Sequence, residues 1–366
     1  MGQTAVRTVA GFDEVTELLV IDRDTVRAQQ IADEVGDKAT VVEFDAKNDA
    51  LAPLIADCAA VASTLGPFTV FGLTVLEACI EAGVNYVDIN DDWEPTLESL
   101  KLSDKAEAAG ITALIGMGAS PGLANVLAMR AVEEVDEPID LVTGWSLAGV
   151  ATEPDAQKPA AAIMHLIHEA VGEIRVVEDG REQMVKPLQP LKLDYPGRGC
   201  PDLRTIGHPE AITLPRQIKG LQRCINVMSG PGFWFDRLNA QAQRVERGEA
   251  TVREAALVIE EPLEIPVGTP RTLRMPSIWV WLRGRKDGQT VRVGVGLTKW
   301  PTNKSANTGI PVAMGLQMLL RGEITKRGVV TAEEVVPFDL LMERLTPLYT
   351  EPAAVDTVYE ITVEKD

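Results

Sequence analysis

The first 120 residues alternate short apolar runs with helical stretches in one rhythm, and that rhythm admits few folds. Glu17–Asp22 (ELLVID), Thr40–Phe44 (TVVEF), Ala59–Leu65 (AAVASTL), Asn85–Ile89 (NYVDI) and Ile111–Ile115 (ITALI) read as strands. Between them Thr25–Val35, Ala50–Ala56, Leu73–Ala82 and Pro95–Ala109 read as helices, with Gly36, Gly83 and Gly110 as stops. Strands alternating with helices of about 10–15 residues form βαβ units and a parallel sheet. Parallel strands are covered on both faces and should be nearly all apolar, as these are.

A Rossmann-type domain opens with a strand, then G-x-G-x-x-G, then a helix whose N-terminus receives the pyrophosphate. An acid about 20 residues past the loop binds the adenosine ribose. This chain opens as a helix, Gln3–Ala10, and ELLVID ends in Asp22 at that spacing from Gly2. Met1-Gly2 therefore takes the place of the last two residues of a glycine loop. The expectation is a dinucleotide-binding sheet without its first strand, in a chain that starts inside the phosphate loop. Translation of the upstream DNA is the check; the other reading is that a different segment fills the slot.

After Pro121 the texture changes. Pro121–Val135 reads as a helix with Pro at its start, Leu141–Leu147 as a strand and Pro159–Val171 as a helix. Residues 174–232 are rich in Gly and Pro with short strand candidates. Ile278–Lys286 and Gln289–Leu297 form a hairpin across Asp287-Gly288, a strong two-residue turn signal. Pro311–Leu320 and Ala332–Leu345 are helical, and Thr357–Glu364 alternates as a last strand. This is a mixed α+β domain, and two domains suit a chain of 366 residues.

A formal charge of −19 argues against nucleic acid or an anionic membrane as partner. No apolar run reaches the roughly 18–20 residues of a membrane span, and no secretory signal opens the chain. Cys58, Cys79, Cys200 and Cys224 lack C-x-x-C spacing and read as reduced thiols of a cytoplasmic protein.

Several segments carry candidate chemistry. Asp22 is placed to hold a ribose, with Arg23 over the adenine or on a 2′-phosphate, so NAD and NADP both stay open; a plain turn into the next helix is the other reading. Asp45-Ala46 ends the next strand near the adenine edge. Thr64, Gly66 and Pro67 follow a strand, where small residues admit the nicotinamide side of a dinucleotide. Asp88 and Asp91 lie at a strand's carboxyl end and are candidate catalytic acids. Gly116, Met117 and Gly118, with Ser120 beyond them, form a small-residue loop whose free N–H groups suit a cofactor amide or a substrate carboxylate; a tight domain junction is the other reading. Arg198, Arg204 and Arg216 are candidates to fork onto a substrate carboxylate, or else lie in surface ion pairs. His165 and His168 share a helix face, but no third ligand stands out, so no metal site is expected. Trp234, Trp279, Trp281 and Trp300 read as core.

Residues 116–128 (GMGASPGLANVLA), 76–100, 207–216 (GHPEAITLPR) and 308–324 resemble the saccharopine dehydrogenase-like family. The resemblance runs over nearly the whole chain and marks the substrate weakly. It implies a Rossmann domain at 1–122, with late helices 311–345 packing back on it. It also implies an α+β substrate and dimerisation domain at 123–310 plus 346–366. The implied activity is NAD(P)-dependent hydride transfer at a C–N bond of an amino acid, lysine-related, or of a polyamine, by a homodimer. Asp22 would hold the ribose, the loops at 63–67 and 116–122 would flank the nicotinamide, and Asp88 or Asp91 would orient the substrate amine. The alternative is a non-catalytic nucleotide-binding or scaffold protein that lost its phosphate loop.

Overall fold

A computed structural model describes residues 1–147, 159–262, 273–299, 304–348 and 357–366. In chain order the elements are α1 (Gly2–Ala10), β1 (Leu18–Asp22), α2 (Thr25–Val35), β2 (Ala39–Glu43), α3 (Ala52–Ile55), β3 (Ala60–Ser63), α4 (Phe68–Ala82), β4 (Asn85–Asp88), α5 (Trp93–Lys101), α6 (Ser103–Ala108) and β5 (Thr112–Ile115). Then follow α7 (Leu123–Val132), β6 (Glu137–Ser146), α8 (Ala161–Glu169), β7 (Ile174–Glu178), β8 (Arg181–Val185), β9 (Pro190–Leu191), β10 (Leu203–Ile206), α9 (Glu210–Gln217), β11 (Arg223–Ser229), α10 (Gly232–Glu246), α11 (Val252–Glu260), β12 (Ile278–Lys286) and β13 (Gln289–Leu297). The chain closes with α12 (Lys304–Leu320), β14 (Gly328–Thr331), α13 (Ala332–Val335), α14 (Phe338–Leu345) and β15 (Tyr359–Lys365). Two units result, Met1–Leu123 with Pro301–Pro352, and Ala124–Trp300 with Ala353–Asp366.

The first unit holds its parallel strands in two pieces, a β1-β2 pair and a four-stranded sheet ordered β14-β5-β4-β3. The doubly wound order 3-2-1-4-5-6 without strand 1 comprises a pair and three strands, which β1-β2 and β3-β4-β5 match, and β14 adds a fourth beside β5. Among the described residues no strand joins them. Helix α12 packs on α1, β3 and β4. Bare backbone makes that approach possible: a Cβ on Gly309 would stand 2.7 Å from the Met1 carbonyl oxygen, and one on Gly315 would stand 2.9 Å from Met117 Cγ. Under the strands, Leu76, Cys79, Tyr86, Ala113 and Ile115 belong to one buried cluster.

Two long helices expected from periodicity are broken. Pro95–Ala109 is α5 and α6 with a break at Leu102. Ala332–Leu345 is α13 and α14, parted at Pro337, whose missing N–H and bulky ring exclude a continuous helix. The preceding Val336 adopts φ −101°, ψ 108°, as a residue before proline tends to. Strand β14, between them and α12, was not read from the sequence; it adds to β5 in parallel from Gly328 opposite Thr112.

The second unit is a mixed sheet ordered β15-β13-β12-β6-β11-β10-β9, with β7 pairing both β11 and β8. Strands β6 and β11 run parallel, and β12 and β13 form the expected hairpin, closing with Lys286 opposite Gln289. Asp287 and Gly288 both take positive φ, as a type I′ turn requires. Helices α8, α10 and α11 contribute Ile163, Ile167, Phe235, Leu238 and Ala255 to one core. A second core holds Tyr195, Trp279 and Trp281. Trp234 packs partly buried against the first, and Trp300 lies outside the described residues. No helix among the described residues is long and apolar enough to cross a membrane.

Candidate functional site

The carboxyl ends of the parallel strands in the first unit carry most of the candidate residues. Asp22 ends β1 and is exposed. Its Oδ1 accepts the Asp24 amide at 2.9 Å, and Asp24 in turn caps α2 by accepting the Arg27 amide at 3.1 Å. Asp22 is thus a turn residue whose carboxylate faces solvent. Arg23 beside it is exposed. Asp45, after β2, accepts from the Lys47 amide at 3.1 Å and from Asn48 Nδ2 at 2.7 Å. The Lys47 amide first, then Asn48, hold its carboxyl below the ordinary range. Ala46 is half-buried next to it.

At the end of β3 the chain runs through Thr64 to an exposed Gly66 and Pro67, joined by a cis peptide, and Pro67 caps α4. A Cβ on Gly2 would lie 2.8 Å from Thr64 Oγ1, so the start of α1 and the β3 loop meet through bare backbone. The first-turn amides of α1 have no acceptor inside their own helix. A helix N-terminus, a glycine and a ribose-range acid on β1 are the donor set that a dinucleotide uses, and the residues present fit that group.

The 116–122 loop departs from expectation. Gly116 donates to Asp88 Oδ1 at 2.6 Å, Met117 to the Asp88 carbonyl at 2.7 Å and Gly118 to the Pro121 carbonyl at 2.9 Å. Those amides point into the fold and are not free for a ligand. The loop is tied shut by the Gly118–Gly122 bridge and a cis Ser120–Pro121 peptide, and Met117 is fully buried. Ala119 and the partly exposed Ser120 form its tip.

Asp88 is corrected in the same way. It is 1% exposed, takes the Asn90 amide on Oδ1 at 3.1 Å and the Tyr86 hydroxyl on Oδ2 at 2.8 Å. Burial pushes its carboxyl up to about 6, against the Gly116 and Asn90 amides and the Tyr86 hydroxyl, which favour the charged form. Asp88 is the clamp of the loop rather than a group that meets substrate. Asn90 then carries the next turn: its Oδ1 accepts the Asp92 amide at 3.1 Å and its Nδ2 donates to Thr96 Oγ1 at 3.0 Å. Asp91 is half-buried between these fixed neighbours.

In the second unit Arg198 is committed: its Nε and Nη2 donate to Glu360 Oε1 at 3.0 and 2.5 Å, and Nη1 to the Arg274 carbonyl at 2.8 Å. This corrects its reading as a carboxylate fork, because its donors already hold β15 in place. Arg204 pairs with Asp202 and lies over the Phe235 ring. Arg216 is exposed near the end of α9, with no ion pair among the described residues.

A cluster that the sequence did not reveal lies in this unit. Glu169, one turn after His165 on α8, accepts contacts from His165 Nε2 at 2.9 Å and His208 Nε2 at 2.6 Å on the same Oε1. His208 Nδ1 stands 3.3 Å from Glu210 Oε2. Glu169, His208 and Glu210 are each nine-tenths or more buried. Burial disfavours the Glu169 carboxylate, but His165 and His208 outweigh it and bring the group down to about 2. Burial likewise disfavours a charged His208, and Glu169 and Glu210 outweigh it, holding the imidazole well above its ordinary value. The His-x₃-Glu spacing was the available signal. His168, paired with His165 in the sequence reading, takes no part in these ion pairs.

Residues 1–114 match the family described as saccharopine dehydrogenase NADP binding domain. Those first 114 residues carry that NADP-binding domain, and the chain as a whole is similar to dehydrogenases and synthases of polyamine and amino-acid substrates. It is 25% identical to a carboxyaminopropylagmatine dehydrogenase of Synechocystis, over 92% of this chain and 91% of that protein. It is 23% identical to a carboxynorspermidine synthase of Vibrio alginolyticus, over 72% of this chain and 70% of that one. The saccharopine dehydrogenase (L-Glu forming) of Saccharomyces cerevisiae shares its fold, with TM-score 0.64 at 18% identity over 100% of this chain and 98% of that one. So does a homospermidine synthase of Legionella pneumophila solved with NAD, at TM-score 0.63 and 14% identity over 100% and 89%. With an NADP-binding domain over residues 1–114 and dehydrogenases among its relatives, the chain is an oxidoreductase that works with NAD or NADP.

Proposed function

We propose that this protein transfers hydride at the imine carbon of a carboxylated polyamine, joining or cleaving the C–N bond between an amino-acid-derived arm and an amine. The match over 92% of the chain to a carboxyaminopropylagmatine dehydrogenase carries this reading. The second relative, named for carboxynorspermidine, supports the same class. So does a formal charge of −19, which concentrates polycations and repels polyanions.

The nicotinamide, when bound, supplies the hydride that reduces C=N to CH–NH as the nitrogen takes up a proton. Asp22 holds the adenosine ribose, Arg23 and Asp45-Ala46 flank the adenine, and Thr64, Gly66 and Pro67 border the nicotinamide side. Gly2 opens the helix whose amides face the phosphates. Asp88 fixes the shape of the Gly116–Met117–Gly118 loop. Asp91 orients the substrate amine, and Ser120 meets its carboxylate. By this reading the protein's part is to hold two carbons close and exclude water. Cys58, Cys79, Cys200 and Cys224 as thiols support a reducing, cytoplasmic setting, and the family resemblance supports a homodimer.

Oxidation of NADPH or NADH is followed with a short carboxylated aldehyde paired with agmatine, with a diamine, or with glutamate. Turnover with an amine or agmatine is the expected result. Turnover with glutamate alone overturns the polyamine assignment, and no turnover with any pair and either cofactor overturns the reading as a whole.

A further inference from the structure

We propose that His165, Glu169 and His208 bind one divalent transition-metal ion, zinc foremost, at a site of their own in the second unit. The proposal is independent of the nicotinamide chemistry.

The donor set carries it. One ligand atom from each residue lies within 4.8 Å of the others. His165 Nε2 and His208 Nε2 both converge on Glu169 Oε1, at 2.9 and 2.6 Å. Zinc holds imidazole nitrogen and carboxylate oxygen at roughly 2.0–2.2 Å, so tetrahedral ligand atoms stand about 3.4 Å apart. The cluster reaches that spacing by opening roughly 0.5–0.8 Å, within the reach of side-chain rotation. Two imidazoles and one carboxylate leave one position open for water or a small ligand, the arrangement of open three-ligand zinc sites. Hard cations such as Mg²⁺ and Ca²⁺ seek oxygen cages and are poorly served here.

The surroundings match what a bound ion needs. A metal-ligating histidine commonly donates its other ring nitrogen to a carboxylate, which fixes the tautomer. His208 Nδ1 stands 3.3 Å from Glu210 Oε2, and Glu210 is fully buried. Glu169 and Glu210 together balance a dication. The ligands are pre-positioned, because His165 and Glu169 share one turn of α8 and His208 leads into α9. Entry is from the His165 side, where that side chain is 22% exposed while Glu169 and His208 are each 5%.

The test is metal binding by the whole chain after chelation. Zn²⁺ is titrated in competition with a chromogenic chelator, and Co²⁺ is added to a second sample for its visible spectrum. One ion per chain with micromolar or tighter affinity is expected, with Co²⁺ bands of a nitrogen–oxygen site of low coordination number. His165→Ala, at a partly exposed position, should fold and weaken binding at least tenfold, as should Glu169→Gln. His168→Ala on the same helix should bind like the parent. No stoichiometric binding overturns the proposal. So does a thiolate charge-transfer band, which would put the ion on a cysteine, or His165→Ala binding as tightly as the parent.

Discussion

The Gly116 amide and the Asp88 carboxylate meet at 2.6 Å inside a site that is almost completely closed to water. Asp88 thereby joins β4 to the loop after β5. Asp88→Ala would leave the Gly116 and Asn90 amides and the Tyr86 hydroxyl unpaired, and each such group costs about 1–3 kcal/mol. A loss of at least about 3 kcal/mol in urea unfolding is expected. Asp88→Asn keeps an oxygen for the two amides and turns its NH₂ toward the hydroxyl, so that variant should fold.

The same residue sets a pH dependence. Burial raises its carboxyl from 3.8 to about 6, so between those values the folded protein keeps a proton that the unfolded chain has lost. Its contribution to stability is therefore greatest below about pH 4 and declines through about pH 6, by roughly 3 kcal/mol at most. Urea midpoints measured from pH 4 to 7 should show this decline in the parent relative to Asp88→Asn. Equal profiles for the two would show that Asp88 does not titrate in that window.

Gly122 gives a sharper test of the loop. Its φ is +112°, and a Cβ there would stand 2.3 Å from the Gly118 carbonyl oxygen. Backbone cannot yield as a side chain does, so Gly122→Ala should cost more than the 1–3 kcal/mol of a strained φ alone. Gly83 also has positive φ, +71°, but in the left-handed helical region and with open space around it. Gly83→Ala should cost only about 1 kcal/mol. Thermal melts of the two variants side by side check the contrast.

These loops mark where the sequence could and could not be read. The apolar runs ELLVID, NYVDI and ITALI became β1, β4 and β5 because parallel strands need apolar side chains on both faces, a local property. The Asp287-Gly288 turn fixed the hairpin for an equally local reason. Strand β14 escaped because four residues, GVVT, carry too little pattern, and its partner β5 lies more than 200 residues earlier. The inward direction of the Gly116–Gly118 amides was invisible, since a small-residue loop looks the same whether it binds a ligand or a buried aspartate. His208 could not be joined to Glu169 by spacing, because a loop and a helix meet there only through tertiary packing.

Glu169 holds two imidazoles together, and its loss should be felt well beyond one contact. Glu169→Ala removes one of the two carboxylates that flank the buried His208, and breaking a buried pair costs about 3–5 kcal/mol. Unfolding of the chelated, metal-free protein in urea checks this. His208→Ala combined with Glu169→Ala should cost clearly less than the two single losses added, because both single variants remove the same buried contact. Additive losses would show that the two residues do not act as a pair.

Asp22 decides between the cofactors. A carboxylate at the end of β1 accepts from the 2′-hydroxyl of an NAD ribose and repels a 2′-phosphate. Arg23, exposed beside it, can answer that phosphate instead. Hydrogen bonds to a charged group are worth about 1.5–3 kcal/mol. Asp22→Ser should therefore lower kcat/KM with NADH by roughly 10- to 100-fold while leaving or raising that with NADPH. Arg23→Ser should act in the opposite sense, weakening NADPH more than NADH. Steady-state kinetics with both cofactors on the parent and both variants measures the ratio directly. If Asp22→Ser lowers both cofactors equally, the residue shapes the turn into α2 through its bond to Asp24 and does not read the ribose.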